Sequence, residues 1–379
     1  MQDILFDLIA TQPNSSGKRH GGGKYGEIIF KRIIERKLPV ICFYDENKWL
    51  NPEIKVLIKN NNITLLDINK ITFDDIVKQY NIRTIYSALP NNNLISYKGC
   101  RVIGTIHGLR GLETPLDPFF WKYRNVSFKE KIKFILKKYL PKIGYFKDIK
   151  FYGNLKQNTD FSFVTVSNHS SSAFNSYFPQ YKSIDIPVFY SPSTSSNKKM
   201  ERKYFDKYFM LVSGNRWEKN NLRAIIAFDR LFTMGYLLDF KVRITGVKDA
   251  NSFRYKIKNS DKFIFLGYVD EDDLEQLYHD SYCLVYPSLN EGFGYPPLEA
   301  MHYNVPVLAS PFTSIPEVCQ SAALYFNPYS IEEIMGRILQ ISNESIHTKF
   351  SKNAGLQYDI ITSKQEQDLN LFIDYIYNL

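Results

Sequence analysis

Short apolar runs alternate with helical patterns twice along this chain, once on each side of a Ser/Pro-rich break. No other feature limits its possible folds as strongly. Before the break, the runs are Ile4–Ala10, Pro39–Tyr44, Ile63–Leu66, Thr84–Ala88, Val102–Ile106, Phe161–Ser167 and Ile184–Tyr190. After it come Phe209–Ser213, Lys241–Thr245, Phe263–Leu266, Tyr282–Tyr286, Val305–Ala309 and Ala322–Phe326. Helical spacing falls between many of them, at Lys24–Arg36, from His169, Asn220–Met234, Asp272–Asp280 and from Pro297. Strand–helix alternation argues for a parallel sheet covered on both faces. The sequence therefore predicts an α/β chain of two Rossmann-like, doubly wound domains facing each other across a cleft, where ligands of such folds bind. Ser191–Asn197 has no periodicity and marks the boundary. The expected division is an N-terminal domain over 1–190, a linker over 191–203, a C-terminal domain over 204–360, and a terminal helix over 361–379 that packs back on the N-terminal domain.

The 379 residues are 44% hydrophobic and 23% charged, which excludes a disordered chain. The net charge of +9 suits nucleic acid, anionic lipid or phosphorylated substrates, and equally a Lys-rich surface with no partner. No nucleic-acid recognition motif accompanies it. Cys42, Cys100, Cys283 and Cys319 are not at metal-ligand spacing, so reduced thiols are expected. Asp3 and Asp7 flank the first apolar stretch in place of a basic leader, and no run approaches the ~18–20 apolar residues of a spanning helix. A cytoplasmic chain is expected, either soluble or peripheral on the inner face of the membrane. One segment breaks the alternation: 122–150 carries ten Lys/Arg against Glu130 and Asp148, and many aromatics. It reads either as a membrane-docking surface or as a solvated charged face over a core helix.

The most informative stretch is Tyr286-Pro-Ser-Leu-Asn-Glu-Gly-Phe-Gly-Tyr-Pro-Pro-Leu-Glu299. A buried strand ends at Tyr286, the chain turns through Glu291–Gly294, and a helix follows, with Pro296 and Pro297 presetting its first turn. Glycines allow close backbone approach, amides at a helix start favour phosphate, and Glu291 in the loop and Glu299 in the first helical turn offer acceptors for paired sugar hydroxyls.

This stretch, with FLGYVDEDDLEQLY, PVLAS, PEV and AALYFNP around it, resembles the signature of family 4 retaining glycosyltransferases, which have the GT-B fold (glycosyl transferases group 1). TIHGL, VTVSN and SGNRWEKN extend the resemblance more weakly through the rest of the chain. It implies that Glu291 faces the donor sugar and Glu299 holds the ribose hydroxyls. Backbone around Gly292, Phe293 and Gly294, and around Pro297 and Leu298, would meet the sugar and the diphosphate. Arg216 and Lys219 match the basic pair that grips the diphosphate, although the gap from Gly214 to Lys219 is one residue shorter than the common pattern. His107 matches a histidine near the donor sugar. Gly21, Gly22 and Gly23 are the counterpart of a first loop that approaches acceptor or phosphate. The implied reaction is a metal-independent transfer, with retention, from a UDP- or GDP-sugar to a saccharide or lipid-linked acceptor, in bacterial surface polysaccharide synthesis. A phosphorylase or sugar-phosphate synthase of the same fold, and a non-catalytic sugar-nucleotide-binding partner subunit, are the alternatives. Asp270–Asp273 is read as an acidic helix start rather than a metal site.

Overall fold

The computed structural model describes residues 4–13, 21–155, 160–181, 185–193 and 200–378. Residues 194–199 of the expected linker, and Ile184 of one expected strand, lie outside the described residues. The chain divides into two compact units. The first comprises 1–109, 148–194 and 362–379; the second comprises 110–147 and 195–361.

The first unit is built on six parallel strands: β1 (Ile4–Asp7), β2 (Val40–Tyr44), β3 (Leu65–Asp67), β4 (Thr84–Ser87), β5 (Arg101–Ile106) and β6 (Phe161–Thr165), in the order β3-β2-β1-β4-β5-β6. The expected strand over Ile184–Tyr190 forms no ladder and contributes a single parallel bridge, Thr165 to Val188. Pro187 lies in this run, and a residue without an N–H cannot donate to a ladder. The end of the long helix Glu344–Tyr377 belongs to this unit. There Glu366 accepts a forked pair from Arg32 (2.7 and 2.9 Å), Asp368 accepts from the Tyr190 amide (2.8 Å), and Phe372 packs on Tyr86 and Phe189. The terminal helix does not begin at 361; it continues unbroken from Glu344.

The second unit repeats the plan with β7 (Lys207–Leu211), β8 (Phe240–Thr245), β9 (Phe263–Gly267), β10 (Cys283–Tyr286), β11 (Val307–Ala309) and β12 (Ala323–Tyr325), ordered β12-β11-β10-β7-β8-β9 and again parallel throughout. Along β7, Phe209 and Leu211 enter one apolar cluster while Tyr208 and Met210 enter another. Successive strand residues point to opposite faces, so a strand buried on both reads as an unbroken apolar run. In both sheets the order reverses between two adjacent central strands, β1 and β4 in one and β7 and β10 in the other.

Residues 110–147 were expected in the N-terminal domain but group with the second unit. Their inner side chains explain this. Tyr123 is buried, its hydroxyl accepts from the Leu222 amide (3.1 Å), and its ring packs on Phe253. Phe120 stacks on Phe134 at 4.4 Å and meets Trp217 edge-on. Asp117 takes a forked pair from Arg223 (2.5 and 2.8 Å), with both side chains buried, and the guanidinium lies 3.7 Å from the Phe119 ring centroid. Removing one member of a buried pair strands the other charge, at a cost of ~3–5 kcal/mol. Asp117→Ala is therefore expected to lower stability by about that amount in urea unfolding. A loss below ~1 kcal/mol would show that the pair does not anchor the segment.

Candidate functional site

Loops leaving the strand ends at the point where sheet order reverses are where open α/β sheets bind ligands. In the second unit, the segment after β7 carries Arg216 and Lys219, and the segment after β10 carries Glu291. The two strands are neighbours, and the structure brings these residues together.

Lys219 ends a single 3-10 turn, Trp217–Lys219, and is buried. Its ammonium donates to Glu291 Oε1 at 2.5 Å and to the Tyr286 hydroxyl at 2.7 Å. The Tyr286 hydroxyl in turn donates to Glu291 Oε1 at 2.6 Å, and Ser288 Oγ donates to the same oxygen at 2.5 Å. Burial acts to raise the Glu291 carboxyl. The Lys219 charge and the three hydrogen bonds overcome it and hold the group below its ordinary range. Burial pushes the Lys219 ammonium below its usual range, helped by the Arg216 charge and opposed by Glu291. The result is a nearly buried carboxylate fixed by three donors.

The loop carrying Glu291 is tied down along its length. Asn220, in the left-handed region at φ 58°, donates to the carbonyls of Pro287 (3.1 Å) and Pro328 (2.8 Å). The Leu289 amide donates to the Glu218 carbonyl, the Glu291 amide to Thr313 Oγ1, and Ser314 Oγ to the Glu291 carbonyl. Ser310 Oγ donates to the Ser288 carbonyl.

Arg216 sends Nε and a terminal nitrogen to Glu218 Oε1 at 3.0 and 2.6 Å, and Arg110 lies 3.9 Å from that oxygen. Burial would lower Arg216, but the Glu218 charge, the hydrogen bonds to it and the Glu291 charge together outweigh burial and raise the group above its ordinary value. Arg216 thus keeps its charge with a carboxylate beside it.

The helix after the loop runs Tyr295–His302, capped by Gly294 at φ +112°. A Cβ at Gly294 would meet no neighbour within 4 Å, so the backbone angle, rather than lack of space, calls for glycine there. Gly292 is partly exposed, whereas Phe293, Pro297 and Leu298 are buried. Proline at the second and third helical positions removes two of the N–H groups that a helix start offers. Pro297 therefore cannot meet a phosphate through an amide. Glu299 is the fifth helical residue, past the first turn where the sequence reading put it. It is hydrogen-bonded to the buried Tyr278, whose phenol is pushed well above its usual range by burial and by the Glu299 charge.

His107 and the glycine run lie in the first unit. Gly21, Gly22 and Gly23 are not a loop; they open the helix Gly21–Glu35. A Cβ on Gly22 would come within 2.8 Å of the end of the Leu89 side chain, which is exposed and can move aside. Two residues after the run, Tyr25 meets the His107 ring edge-on at 4.8 Å. His107 Nε2 is 3.0 Å from the Ala88 carbonyl, and because a carbonyl only accepts, this nitrogen carries the hydrogen. Asp7, at the end of β1, accepts from Ser87 Oγ (2.6 Å) and the Ala10 amide; burial pushes its carboxyl up to about 6. In the acidic stretch, Asp270 accepts from the Asp273 amide and caps the helix Glu271–Asp280.

Sequence reasoning missed Tyr286 and Ser288 as parts of the site, and Glu218 as the partner of Arg216. A strand-terminal Tyr in an apolar run carries no signal of its own. The spacing Tyr286-x-Ser288-x-x-Glu291, which turns two hydroxyls towards one carboxylate, was present to be read.

Residues 194–357 match the sequence profile of the family described as glycosyl transferases group 1. That segment, less than half of the chain, is similar to members of that family. Among curated relatives it is 32% identical over 184 residues to the O-antigen chain mannosyltransferase RfbU of Salmonella typhimurium, a match covering 48% of this chain and 51% of that protein. It is 42% identical over 153 residues to O-antigen chain mannosyltransferase B of Escherichia coli, covering 39% and 40% of the two chains. The chain thus spans about half of the length of one of these relatives and two fifths of the other. Among solved structures, Anabaena Alr3699/HepE in complex with UDP and glucose superposes with a TM-score of 0.67 at 15% identity over 100% of both chains. A glycosyltransferase from Rickettsia africae does so at 0.64 and 16%, over 100% of this chain and 98% of that one. At such identities the likeness carries the fold, and the fold is GT-B.

The buried pair makes a thermodynamic prediction. A carboxyl held below its ordinary value of 4.5 stabilises the fold above that pH, and the contribution is lost as pH falls through the folded value. Lys219→Met, which leaves Glu291 without its counter-charge, is expected to cost ~3 kcal/mol at pH 7, and adding Glu291→Gln should recover part of the loss. The gap between wild type and Glu291→Gln should close in acid. Strictly additive losses, or a gap independent of pH, would contradict the pairing.

Proposed function

We propose that the chain is a retaining glycosyltransferase that moves a hexose from a nucleotide-sugar to a saccharide or lipid-linked acceptor in bacterial surface polysaccharide synthesis. One observation carries the reading: Glu291 and Lys219, buried and hydrogen-bonded to each other at the strand-order reversal of the second unit. Two of the curated relatives are O-antigen mannosyltransferases, so GDP-mannose is the first donor to test, with UDP-sugars beside it.

Glu291 is an acceptor in this scheme and not a nucleophile. Its three donors all reach Oε1, which leaves Oε2 for hydroxyls of the donor sugar. Lys219 spends two of the three donors of an ammonium on Tyr286 and Glu291. The third, with Arg216, is assigned to the diphosphate as negative charge builds on it, so the scheme needs no divalent ion. Glu299 takes the ribose hydroxyls, in exchange for or alongside Tyr278. The acceptor hydroxyl attacks from the face the diphosphate leaves, and a diphosphate oxygen takes its proton. His107 is assigned to the sugar and the helix start at Gly21–Gly23 to the acceptor. The reaction belongs in the cytoplasm, with a lipid-linked acceptor at the inner membrane face.

Purified full-length chain should transfer mannose from GDP-mannose with the anomeric configuration retained, as read by NMR of the product. Lys219→Ala and Arg216→Ala should each lower kcat by about 100-fold. Glu299→Ala should chiefly weaken donor binding and abolish the thermal shift caused by the nucleotide. A product of inverted configuration, or full activity in Lys219→Ala, would overturn the scheme.

A further inference from the structure

The helix Phe128–Tyr139 is amphipathic in the reverse of the usual sense. Phe134 and Lys137 face the protein, where Phe134 stacks on Phe120 and Lys137 donates to the Gly111 carbonyl. The opposite side carries Phe128, Ile132, Ile135 and Tyr139, at steps of four, three and four. At 3.6 residues per turn these four lie within about 60° of one another. They are 76%, 42%, 44% and 67% exposed. Leu140 and Ile143, in the turn and short helix that follow, continue the patch at 52% and 61%. An apolar stripe of this length is rarely left in water.

Its borders carry one sign of charge. Lys131 and Lys138 flank the stripe on one side of the helix and Lys129 on the other, and Lys142 lies beside the continuation. The one acidic residue of the helix, Glu130, is turned back onto Ser127 in a capping box. A second copy of the chain would bring lysines against lysines. An anionic bilayer accepts both features, the apolar stripe among its acyl chains and the ammonium groups at its headgroups.

We propose that the outer face of Phe128–Ile143 docks on an anionic lipid membrane, with Phe128, Ile132, Ile135, Tyr139, Leu140 and Ile143 inserted at the headgroup boundary. This narrows the basic segment 122–150 to one helix and the turn after it. It stands whether or not the chain transfers sugar.

The test is co-sedimentation of the full chain with vesicles of phosphatidylglycerol and phosphatidylcholine in equal parts, and of phosphatidylcholine alone. Wild type should pellet with the anionic vesicles and release as salt is raised. Ile132→Glu with Ile135→Glu should weaken that binding about tenfold or more, because two inserted side chains become anionic. Lys131→Gln with Lys138→Gln should weaken it less and flatten the salt dependence. Both variants should keep the wild-type melting temperature and nucleotide-induced thermal shift, which separates loss of docking from misfolding and from failure of the sugar-transfer reading. Equal pelleting by wild type and the glutamate pair, equal binding to both vesicle types, or a dimer in sedimentation equilibrium that the glutamate pair dissolves, would each overturn the proposal.

Discussion

Two opposite charges, Lys219 and Glu291, are buried against each other at the reversal point of the second sheet, and much of the surrounding structure follows from that burial. Desolvating a carboxylate and an ammonium costs several kcal/mol for each ion, and their attraction repays this only with good geometry and further hydrogen bonds. Tyr286 and Ser288 supply those bonds to Glu291. The loop between them must then be held still, and it is held by Asn220, Ser310, Thr313, Ser314 and the Glu218 carbonyl. A carboxylate this fixed is a preorganised acceptor, because its orientation does not have to be reached when a ligand arrives.

The same constraint explains which parts could be read from the sequence. Parallel strands buried on both faces announce themselves as apolar runs, and twelve of the thirteen expected runs contain or overlap a ladder strand. The run at 184–190 was misread because its apolar side chains do find burial, at Ile186 and Tyr190, while Pro187 denies it a ladder. The glycine run was read as a loop because glycine is a poor helix former. The helix nevertheless begins at Gly21, with Tyr25, Ile29 and Ile33 buried farther along it, and no local pattern marks that start. Residues 110–147 were assigned to the wrong unit because their decisive ties, Asp117 to Arg223 and Tyr123 to Leu222, span 106 and 99 positions.

The site itself was legible in part, and for a different reason. Glu291 was singled out within its own stretch and Lys219 through resemblance; they lie 72 positions apart and nothing in their spacing connects them. Their meeting depends on β7 and β10 being neighbours, a matter of sheet order, which the sequence leaves open. Within the 286–299 stretch, the reading correctly saw a strand, a turn and a helix. It misplaced Glu299 because Gly294 starts the helix before the prolines, at Tyr295.

The outward stripe and the Glu291 loop are linked through one chain of buried bonds. Asp117 fixes Arg223, Arg223 also donates to Asn220 Oδ1 (2.7 Å), and Asn220 holds the Pro287 carbonyl at the head of the loop that presents Glu291. Phe120, three residues after Asp117, stacks on Phe134 from the inner side of the lipid-facing helix. Every contact in this chain falls within the second unit. Docking on a bilayer would therefore hold the second unit directly, and the strain of insertion would fall on packed aromatics and a forked ion pair instead of on a flexible tether. This differs from an anchor placed in a terminal tail, where the bound and catalytic parts move independently. In this chain the surface that would touch lipid and the loop that would hold the donor belong to the same hydrogen-bonded body.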